Sequence, residues 1–430
     1  MRQETGNWDH CLEHASISDV GVRRSNNQDA VGTLLASNQE AFQRRGHLLM
    51  VADGMGAHAA GELASKLAVD IVTLTYPKLR DAMPPDALLE SLRDANNRIH
   101  SRGQASPDFK GMGTTSTALL LLPQGALMAH VGDSRAYRLR GSRIEQLTFD
   151  HSLVWELQAS GQLAENASTS HIPKNVITRS LGPNADVQID LEGPHPIEVG
   201  DTFLLCSDGL TGQVEDEEIG LVLRAMPVAE AVQALVDLAN LRGGPDNISI
   251  VAARVTGPQV ARNTSSEAGT ETPSQAQPVH PAVWTSLGVF VLAAIGAGMA
   301  DLGWIAVGCA IIAMVVGLVA LLIRYSGQPE PTIDGRRFGK GPYTASDCGS
   351  GEQLALKLKQ ILGELRDSAM REDWVVDWSR FNSLATEADR QLQAAEFDAS
   401  LCAHFRAIRF MMDELRQPRD SSDSSSVLDL

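Results

Sequence analysis

The sequence predicts an α+β fold in its N-terminal half, followed by two long apolar helices and a small all-α C-terminal region. Three observations carry this prediction. Apolar runs of β-type composition are interspersed with helical patterns between residues 16 and 255, two long helical stretches follow one another without a strand between them, and two segments after residue 282 are almost free of charge. Because a strict strand–helix alternation is missing, antiparallel strands layered with helices fit better than a parallel sheet.

Strands are predicted where apolar runs lie between turn residues, and helices where apolar residues recur at helical spacing. The predicted strands are His47 to Asp53, Thr114 to Leu122, Ala126 to Asp133, Thr202 to Asp208 and Asn247 to Val255. The predicted helices are Gly61 to Leu79, Ala87 to Ile99 and Ala229 to Leu241.

Length and composition narrow the range of functions. At about 150 residues per domain, the 430 residues suggest two or three domains. The 36 basic and 53 acidic side chains give a formal net charge of −17, which argues against an electrostatic nucleic-acid binder. The five cysteines form no CxxC pair, so we expect a reducing compartment and neither a disulfide framework nor a thiolate zinc site. The N-terminus shows no apolar signal-peptide region.

Two apolar segments follow a polar linker at 257–281. Residues 283–300 and 302–323 lack charge and are separated by Asp301. At 1.5 Å per residue they span about 27 and 33 Å, close to a ~30 Å hydrocarbon core. The sequence therefore predicts a transmembrane helical hairpin over 282–324, with a buried core hairpin as the alternative. Basic residues follow the second segment, so both flanking regions, including the N- and C-terminal domains, are expected in the cytoplasm, at the inner or cytoplasmic membrane.

The C-terminal region is predicted to be helical after a second linker at 325–350. Two apolar stripes at helical spacing lie within 351–417, and residues 418–430 are expected to be a disordered tail. The stripes comprise Leu358, Ile361, Leu362 and Leu365, and then Leu401, Phe405, Ile408, Met412 and Leu415. A small bundle that packs on itself explains them, and a groove for a partner is the alternative.

Aspartates stand where the predicted strands begin or end. Asp53, Asp133, Asp208 and Asp246 each border an apolar run, and Asp29 lies in a polar turn. Strands of one sheet place their ends along a common rim, where carboxylates repel one another unless a divalent cation neutralises them. Oxygen ligands suit Mg²⁺ or Mn²⁺ better than Zn²⁺. Such a site activates water and polarises a phosphoryl oxygen, so the pattern predicts a dimetal hydrolase.

Three other chemistries fit less well. Gly54-Met-Gly56-Ala-His-Ala59 approaches a dinucleotide-binding G-x-G-x-x-A, but Asp53 would face the pyrophosphate without a cation. Cys206 lacks the arginine six positions later that a cysteine phosphatase needs, because position 212 is glycine. A Walker-type phosphate loop is absent from the sequence.

Eight short motifs, in order along residues 16–255, resemble the bacterial form of the PP2C (PPM) family of metal-dependent protein serine/threonine phosphatases. They are Ser18-Asp-Val-Gly-Val-Arg-Arg-Ser-Asn-Asn-Gln-Asp29, Val51-Ala-Asp-Gly-Met-Gly-Ala-His-Ala-Ala-Gly-Glu62, Gly111-Met-Gly-Thr-Thr115, Val131-Gly-Asp-Ser-Arg-Ala-Tyr137, Leu147-Thr-Phe-Asp-His-Ser-Leu-Val154, Asn175-Val-Ile-Thr-Arg-Ser-Leu-Gly182, Leu205-Cys-Ser-Asp-Gly-Leu210 and Gly244-Pro-Asp-Asn-Ile-Ser249. The resemblance implies a phosphatase domain at 1–256.

The resemblance also implies an α-β-β-α sandwich of two antiparallel sheets flanked by helices, with two or three Mn²⁺ or Mg²⁺ ions at one end. Asp53 is similar to the carboxylate that bridges two metals. The other residues that match metal ligands are Asp29, the Gly54 carbonyl, Asp133, Asp208 and Asp246. Arg24 matches the arginine that clamps the substrate phosphate, and His58 matches a histidine that protonates the leaving group or guides the substrate.

The implied mechanism is an in-line attack on phosphorus by a metal-bridging hydroxide, while the cations and Arg24 spread the developing charge. The sequence departs from the family at three positions near the site. Gln28 stands where many members have glutamate, Met55 where animal members have a histidine, and Ala57 where glycine is common. None of these departures removes a predicted metal ligand.

The leading hypothesis is a membrane-tethered cytoplasmic phosphatase that acts on phosphoserine and phosphothreonine in proteins and opposes a serine/threonine protein kinase. The alternative is a catalytically inactive PP2C-like signalling scaffold that acts through its C-terminal helical domain. Inactive members lose metal-binding acids, whereas this sequence retains all of them, which favours the enzyme.

Overall fold

A computed structural model describes residues 8–56, 59–163, 176–261, 281–299, 303–326 and 331–416. The chain divides into two compact units. One unit combines Met1–Arg262 with Thr332–Leu430, and the other consists of Asn263–Pro331. The first unit is therefore discontinuous in sequence.

Two antiparallel sheets form the centre of the first unit. Within the described residues, one sheet has the order β1-β11-β10-β7-β8-β12 and the other the order β2-β3-β5-β6-β9, with the short β4 paired to β3. The strands are β1 Leu12–Asp19, β2 Asp29–Leu34, β3 His47–Met55, β4 Gly113–Thr114, β5 Ser116–Leu122, β6 Gly125–Val131, β7 Arg135–Arg140, β8 Arg143–Gln146, β9 Asp190–His195, β10 Thr202–Cys206, β11 Ile248–Val255 and β12 Thr344–Asp347.

The helices cover the outer faces of the sheets or follow them in sequence. They are α1 Gln39–Arg45, α2 Ala60–Thr75, α3 Pro84–Ala105, α4 Leu153–Ala159, α5 Asp208–Thr211, α6 Asp216–Ala225, α7 Val228–Leu241, α8 Pro281–Met299, α9 Gly303–Ser326, α10 Glu352–Arg371, α11 Trp378–Gln393 and α12 Phe397–Arg416. The predicted strands and helices of residues 16–255 are present, with boundaries that differ by a few residues.

Alternating side chains of the central strands supply separate apolar layers. Leu49 and Val51 of β3 face the layer between the sheets, which also contains Phe203 of β10. Leu48 and Met50 face the opposite side, where they pack with α2 and α3. Because both faces are covered, these strands are continuously apolar rather than alternating. The result is the predicted α-β-β-α sandwich.

The C-terminal region packs on the same unit. Strand β12 pairs with β8, with Thr344 opposite Gln146 and Asp347 opposite Arg143. The apolar faces of α10 and α12 share one buried cluster with α6 and α7. Part of the segment predicted as a linker at 325–350 therefore carries a strand, and the helical stripes pack on α6 and α7 rather than only on themselves. The domain boundaries drawn from the sequence stay a prediction.

The second unit contains α8 and α9, which contact each other. Their bounds follow the two uncharged segments, and the predicted interruption at Asp301 falls in 300–302, outside the described residues. The sequence predicts a transmembrane hairpin here. Over the described ranges, however, none of the helices combines the length and apolar character needed to cross a membrane.

Candidate active site

Five aspartates from both sheets approach one another at one end of the sandwich. Asp29 opens β2 and lies directly opposite Asp53 of β3 in the antiparallel register. Asp208 follows β10 at the start of α5, and Asp246 lies just before β11, the neighbour of β10. Asp133 occupies the turn between β6 and β7. The two sheets therefore bring together the acids that the sequence placed at strand ends.

Burial and like charge dominate the electrostatics of this acidic cluster, which comprises Asp29, Asp53, Asp133, Asp208 and Asp246. Burial raises the pKa of Asp53 well above its ordinary value, and the charges of the other four aspartates raise it further. Burial also raises the pKa of Asp208, with the charge of Asp246 adding to it, while a hydrogen bond to Asp53 opposes the shift. Burial and like charge therefore oppose the ionisation of Asp53 and Asp208, and a positive charge beside them would favour it.

Two members of the acidic cluster present buried oxygen atoms without a hydrogen-bond partner, Asp29 Oδ1 and Asp133 Oδ1. Burial raises the pKa of Asp29 to about 6, against hydrogen bonds from Ser207 and Ser249. Burial raises the pKa of Asp133 to about 7, and the charges of Asp208 and Asp150 act in the same direction. Buried oxygens without a partner are rare in proteins and indicate an unfilled ligand role.

Arg24 supplies a positive charge beside the acidic cluster. Its Nη2 donates to Asp246 Oδ2 at 2.7 Å, and about half of its side chain is exposed. The hydrogen bond and charge of Asp246 raise the pKa of Arg24, and the charges of Asp53 and Asp208 contribute as well. An arginine in this position can bind a phosphate on the solvent side while its other nitrogen atoms contact the acids.

Gly54 follows Asp53 in a position that admits only glycine. A Cβ atom on Gly54 would lie 2.1 Å from the carbonyl oxygen of Gly61 and 2.4 Å from that of Gln28. The Gly54 N–H donates to the Gln28 carbonyl at 3.1 Å. The backbone around the predicted Gly54 ligand is therefore fixed by close main-chain packing.

Three polar residues that the sequence did not single out position the acids. The side chain of Asn247 accepts a hydrogen bond from Gln28 N–H at 2.8 Å and donates to the carbonyls of Val20 and Asn26, which ties the Arg24 loop to β11. Ser207 Oγ donates to Asp29 Oδ2 at 2.8 Å. Thr115 Oγ1 accepts from Asp53 N–H at 2.8 Å. All three lie within the motifs quoted above. Ser207 and Asn247 directly adjoin Asp208 and Asp246 in sequence, which is the signal that could have identified them, whereas Thr115 contacts Asp53 from 62 residues away.

His58 cannot be placed, because residues 57 and 58 lie outside the described residues. Its predicted role in protonation or substrate guidance therefore stays a prediction. Of the predicted site residues, the structure brings together Arg24, Asp29, Asp53, Gly54, Asp133, Asp208 and Asp246.

The donor set fits a hard divalent cation. Its groups are carboxylate oxygens, two of them buried without a partner, and their mutual repulsion is the condition that such a cation relieves. As they stand, the carboxylates hydrogen bond to protein groups such as Ser207 and Arg24, and no group of three acidic, histidine or cysteine side chains in the described ranges is arranged to hold an ion.

Comparison with known proteins identifies the family. The profile of the family described as "Protein phosphatase 2C" matches residues 22–243, more than half of the chain. A putative protein phosphatase 2C-type of Streptococcus pyogenes is 41% identical over 239 residues, which are 54% of this chain and 93% of that protein. The protein phosphatase PhpP of Streptococcus pneumoniae is 38% identical over 243 residues, which are 56% of this chain and 96% of that protein.

Solved structures agree with these sequence relatives. The serine/threonine phosphatase of S. agalactiae is 38% identical, with a TM-score of 0.51 over 57% of this chain and 99% of that chain. The Mycobacterium tuberculosis serine/threonine phosphatase PstP/Ppp is 36% identical, with a TM-score of 0.50 and the same coverage. The chain therefore belongs to the protein phosphatase 2C family in its bacterial form, and its N-terminal ~250 residues are a metal-dependent protein serine/threonine phosphatase.

Proposed function

We propose that this enzyme removes phosphate from phosphoserine and phosphothreonine in proteins at the acidic cluster, with Arg24 binding the phosphate. The observation that carries the proposal is the convergence of five aspartates, several with raised pKa values, around buried oxygens without partners. Asp29, Asp53, the Gly54 carbonyl, Asp133, Asp208 and Asp246 would hold two or three Mn²⁺ or Mg²⁺ ions, which would supply an activated water and polarise the phosphoryl oxygens.

The protein's own groups orient the reaction. Arg24 lies on the exposed side of the acidic cluster, where it can hold two phosphoryl oxygens and stabilise the charge that develops on them. Asn247 fixes the Arg24 loop relative to β11, so the phosphate is held at a constant distance from Asp246. His58 is proposed to protonate the seryl or threonyl oxygen that leaves.

The test is phosphate release from a phosphothreonine peptide by the full-length protein. We expect release with Mn²⁺ or Mg²⁺, none with a chelator, and a loss of about 100-fold or more in Asp208→Asn. Asp70→Asn is the matched control, because Asp70 is an exposed aspartate on α2. Equal release from wild type and Asp208→Asn would overturn the assignment of the site, and no release at all would favour the inactive scaffold. A cognate serine/threonine kinase pathway as the source of substrates is part of the same proposal.

We also propose that residues 283–323 attach the enzyme to the cytoplasmic face of a membrane. Support comes from the uncharged segments and from exposed apolar side chains such as Leu292, Met299 and Trp304, which are 70%, 87% and 93% exposed. Against it stands the lack of a described helix long and apolar enough to cross. We expect the full-length protein to stay with carbonate-washed membranes, and a variant with a polar linker in place of 283–323 to be released. Recovery of the full-length protein in the supernatant rejects the attachment.

A further inference from the structure

A short segment from the C-terminal part of the chain connects the edges of the two sheets. This segment, residues 333–347, is called the strap. Phe338 exchanges two backbone hydrogen bonds with Gly193 of β9, at 2.6 and 2.9 Å, and β12 pairs with β8. Because β9 ends one sheet and β8 is the last strand before β12 in the other, the strap joins both sheets. It lies beyond residue 243, where the match to the family ends.

Glu192 of β9 holds the strap in place. Its Oε2 accepts hydrogen bonds from the backbone N–H groups of Lys340 at 3.0 Å and Gly341 at 3.2 Å, and its Oε1 accepts from Tyr343 Oη at 2.5 Å. Gly339 has a φ of +67°, and a Cβ atom there would lie 1.6 Å from Glu192 Oε2. The strap can therefore wrap around this carboxylate only with glycine at position 339.

Tyr343 is held by Glu192 with its ring against Phe149. The two ring centroids are 5.4 Å apart at an interplanar angle of 65°, and Phe149 meets Trp155 of α4 edge-on at 5.4 Å. Edge-to-face contacts of this kind stabilise the relative orientation of the rings beyond the area that they bury. The strap thus packs against Phe149, which also contacts Trp155.

The residues after Phe149 connect this contact to the acidic cluster. Asp150 Oδ2 accepts a hydrogen bond from Arg135 Nε at 2.8 Å. His151 exchanges two hydrogen bonds with Gly132: the His151 N–H donates to the Gly132 carbonyl at 2.8 Å, and the Gly132 N–H donates to His151 Nδ1 at 3.0 Å. Gly132 precedes Asp133 and Arg135 follows it. Asp150 and His151 therefore bind the Asp133 turn at both of its ends.

We propose that Tyr343 is a positioning residue for the active site, and that it acts through Phe149 to fix the turn that carries Asp133. This inference deepens the proposed function and rests on it, since Asp133 matters only as part of the acidic cluster. In this protein the strap, which lies outside the matched phosphatase region, therefore helps to position Asp133. Tyr343 contacts neither the substrate nor the reacting atoms.

The test compares four single variants and one double variant of the full-length protein. Tyr343→Leu removes the aromatic contact with Phe149, Tyr343→Phe keeps the ring and loses only the hydrogen bond to Glu192, and Phe149→Leu removes the other ring. Arg336→Ala is the control, because it loosens the same strap at an exposed ion pair with Asp86. Each variant is measured for kcat and KM on a phosphothreonine peptide, for Mn²⁺ binding to the metal-free protein by calorimetry, and for Tm.

We expect Tyr343→Leu to lower kcat and the affinity of the weakest Mn²⁺ site by about three- to tenfold, with KM unchanged. Tyr343→Phe should keep kcat and Mn²⁺ affinity within about twofold of wild type. The double variant Tyr343→Leu/Phe149→Leu should lose no more than the poorer single variant, because both changes break the same contact between Tyr343 and Phe149. Arg336→Ala should alter at most the Tm.

Wild-type kcat and Mn²⁺ binding in Tyr343→Leu would overturn the inference, as would an equal loss in Arg336→Ala. The calorimetric readout separates this failure from failure of the proposed function. If the wild-type protein binds Mn²⁺ but releases no phosphate, the proposed activity fails while the effect of Tyr343 on Mn²⁺ binding is still measured.

Discussion

Arg24 Nη2 and Asp246 Oδ2 lie 2.7 Å apart, which joins a half-exposed guanidinium to a carboxylate of the acidic cluster. The arginine is thus oriented before any substrate arrives. It keeps nitrogen atoms available on the solvent side, where they could contact a phosphate, and its charge is balanced by the neighbouring acids.

Replacement of Arg24 is expected to weaken phosphate binding more than it slows the chemical step. In its proposed role the arginine would contact the phosphate in both the bound substrate and the transition state, so Arg24→Ala should raise KM for a phosphothreonine peptide by about 10- to 100-fold, with a smaller fall in kcat. Arg24→Lys should recover part of the loss, since a point charge replaces a planar fork. Steady-state kinetics measure both constants. Arg23→Ala, at the exposed neighbouring residue, is the control, and an equal effect in that variant would show that charge near the site is sufficient.

Divalent cations are expected to stabilise the folded protein through the acidic cluster. Saturating Mn²⁺ should raise the Tm of the metal-free protein by about 5 °C or more, because the ion binds the folded state and relieves the repulsion among the aspartates. Asp53→Asn should show the opposite pattern: a Tm without metal at least equal to that of wild type, and little increase on addition of Mn²⁺. Differential scanning fluorimetry measures both effects. A full Mn²⁺ shift in Asp53→Asn would remove Asp53 from the binding site.

The metal-free protein is expected to lose stability as Asp133 ionises. Burial and neighbouring charges raise the pKa of Asp133 to about 7, from an ordinary value near 4. A raised pKa means that the folded state holds this proton more tightly than the unfolded state does. The free energy of unfolding therefore falls as the pH rises from about 4 to about 7, and it stays at the lower value above that range. Asp133→Asn should therefore gain stability over wild type between pH 5 and pH 8.

The pH experiment measures the difference in the free energy of unfolding between wild type and Asp133→Asn. Burial lowers the pKa of His47 and His195 to about 4, and these histidines destabilise the fold as the pH falls from about 6.5 to 4. Their contribution is the same in both proteins and cancels in the difference. Urea unfolding with chelator at several pH values gives the free energies of unfolding. A constant difference across the range would show that Asp133 does not titrate there.

The backbone packing at Gly54 predicts a large effect from one methyl group. Gly54→Ala would place Cβ 2.1 Å from the Gly61 carbonyl oxygen, so we expect a loss of about 3 kcal/mol in the free energy of unfolding and a loss of Mn²⁺-dependent activity. Gly363→Ala is the matched control. Gly363 lies inside α10 with open space around it, and alanine there should stabilise the helix by about 1 kcal/mol. Urea unfolding of both variants tests the contrast.

The acidic cluster was predictable because local patterns marked its members. Asp53, Asp133 and Asp208 each border an apolar run in the sequence, and antiparallel pairing of the strands brings these positions together, as the register of Asp29 with Asp53 shows. The roles of Asn247 and Ser207 depend on contacts with the Arg24 loop and with Asp29, over 200 and 178 residues away in sequence, which no local pattern reveals.

The strap escaped prediction for a different reason. β12 has only four residues and a polar composition, and Gly339 and Gly341 resemble the composition of a spacer. Its position is determined by Glu192, whose carboxylate binds the backbone of the strap, and by the pairing of β12 with β8. Helix periodicity predicted a helical region at 351–417, with two stripes that lie on α10 and α12, but an amphipathic stripe does not state which surface it covers. The shared core with α6 and α7 shows that surface.

The discontinuity of the phosphatase unit gives it the properties of a two-piece protein. The chain leaves the unit at Arg262 and returns to it at Thr332. A single proteolytic cut between these residues would not release either piece, because β12 remains paired with β8 and the C-terminal helices remain packed on α6 and α7. The nicked enzyme should survive as a non-covalent heterodimer, and the two fragments, produced separately, should reassociate by the same strand pairing and helix packing.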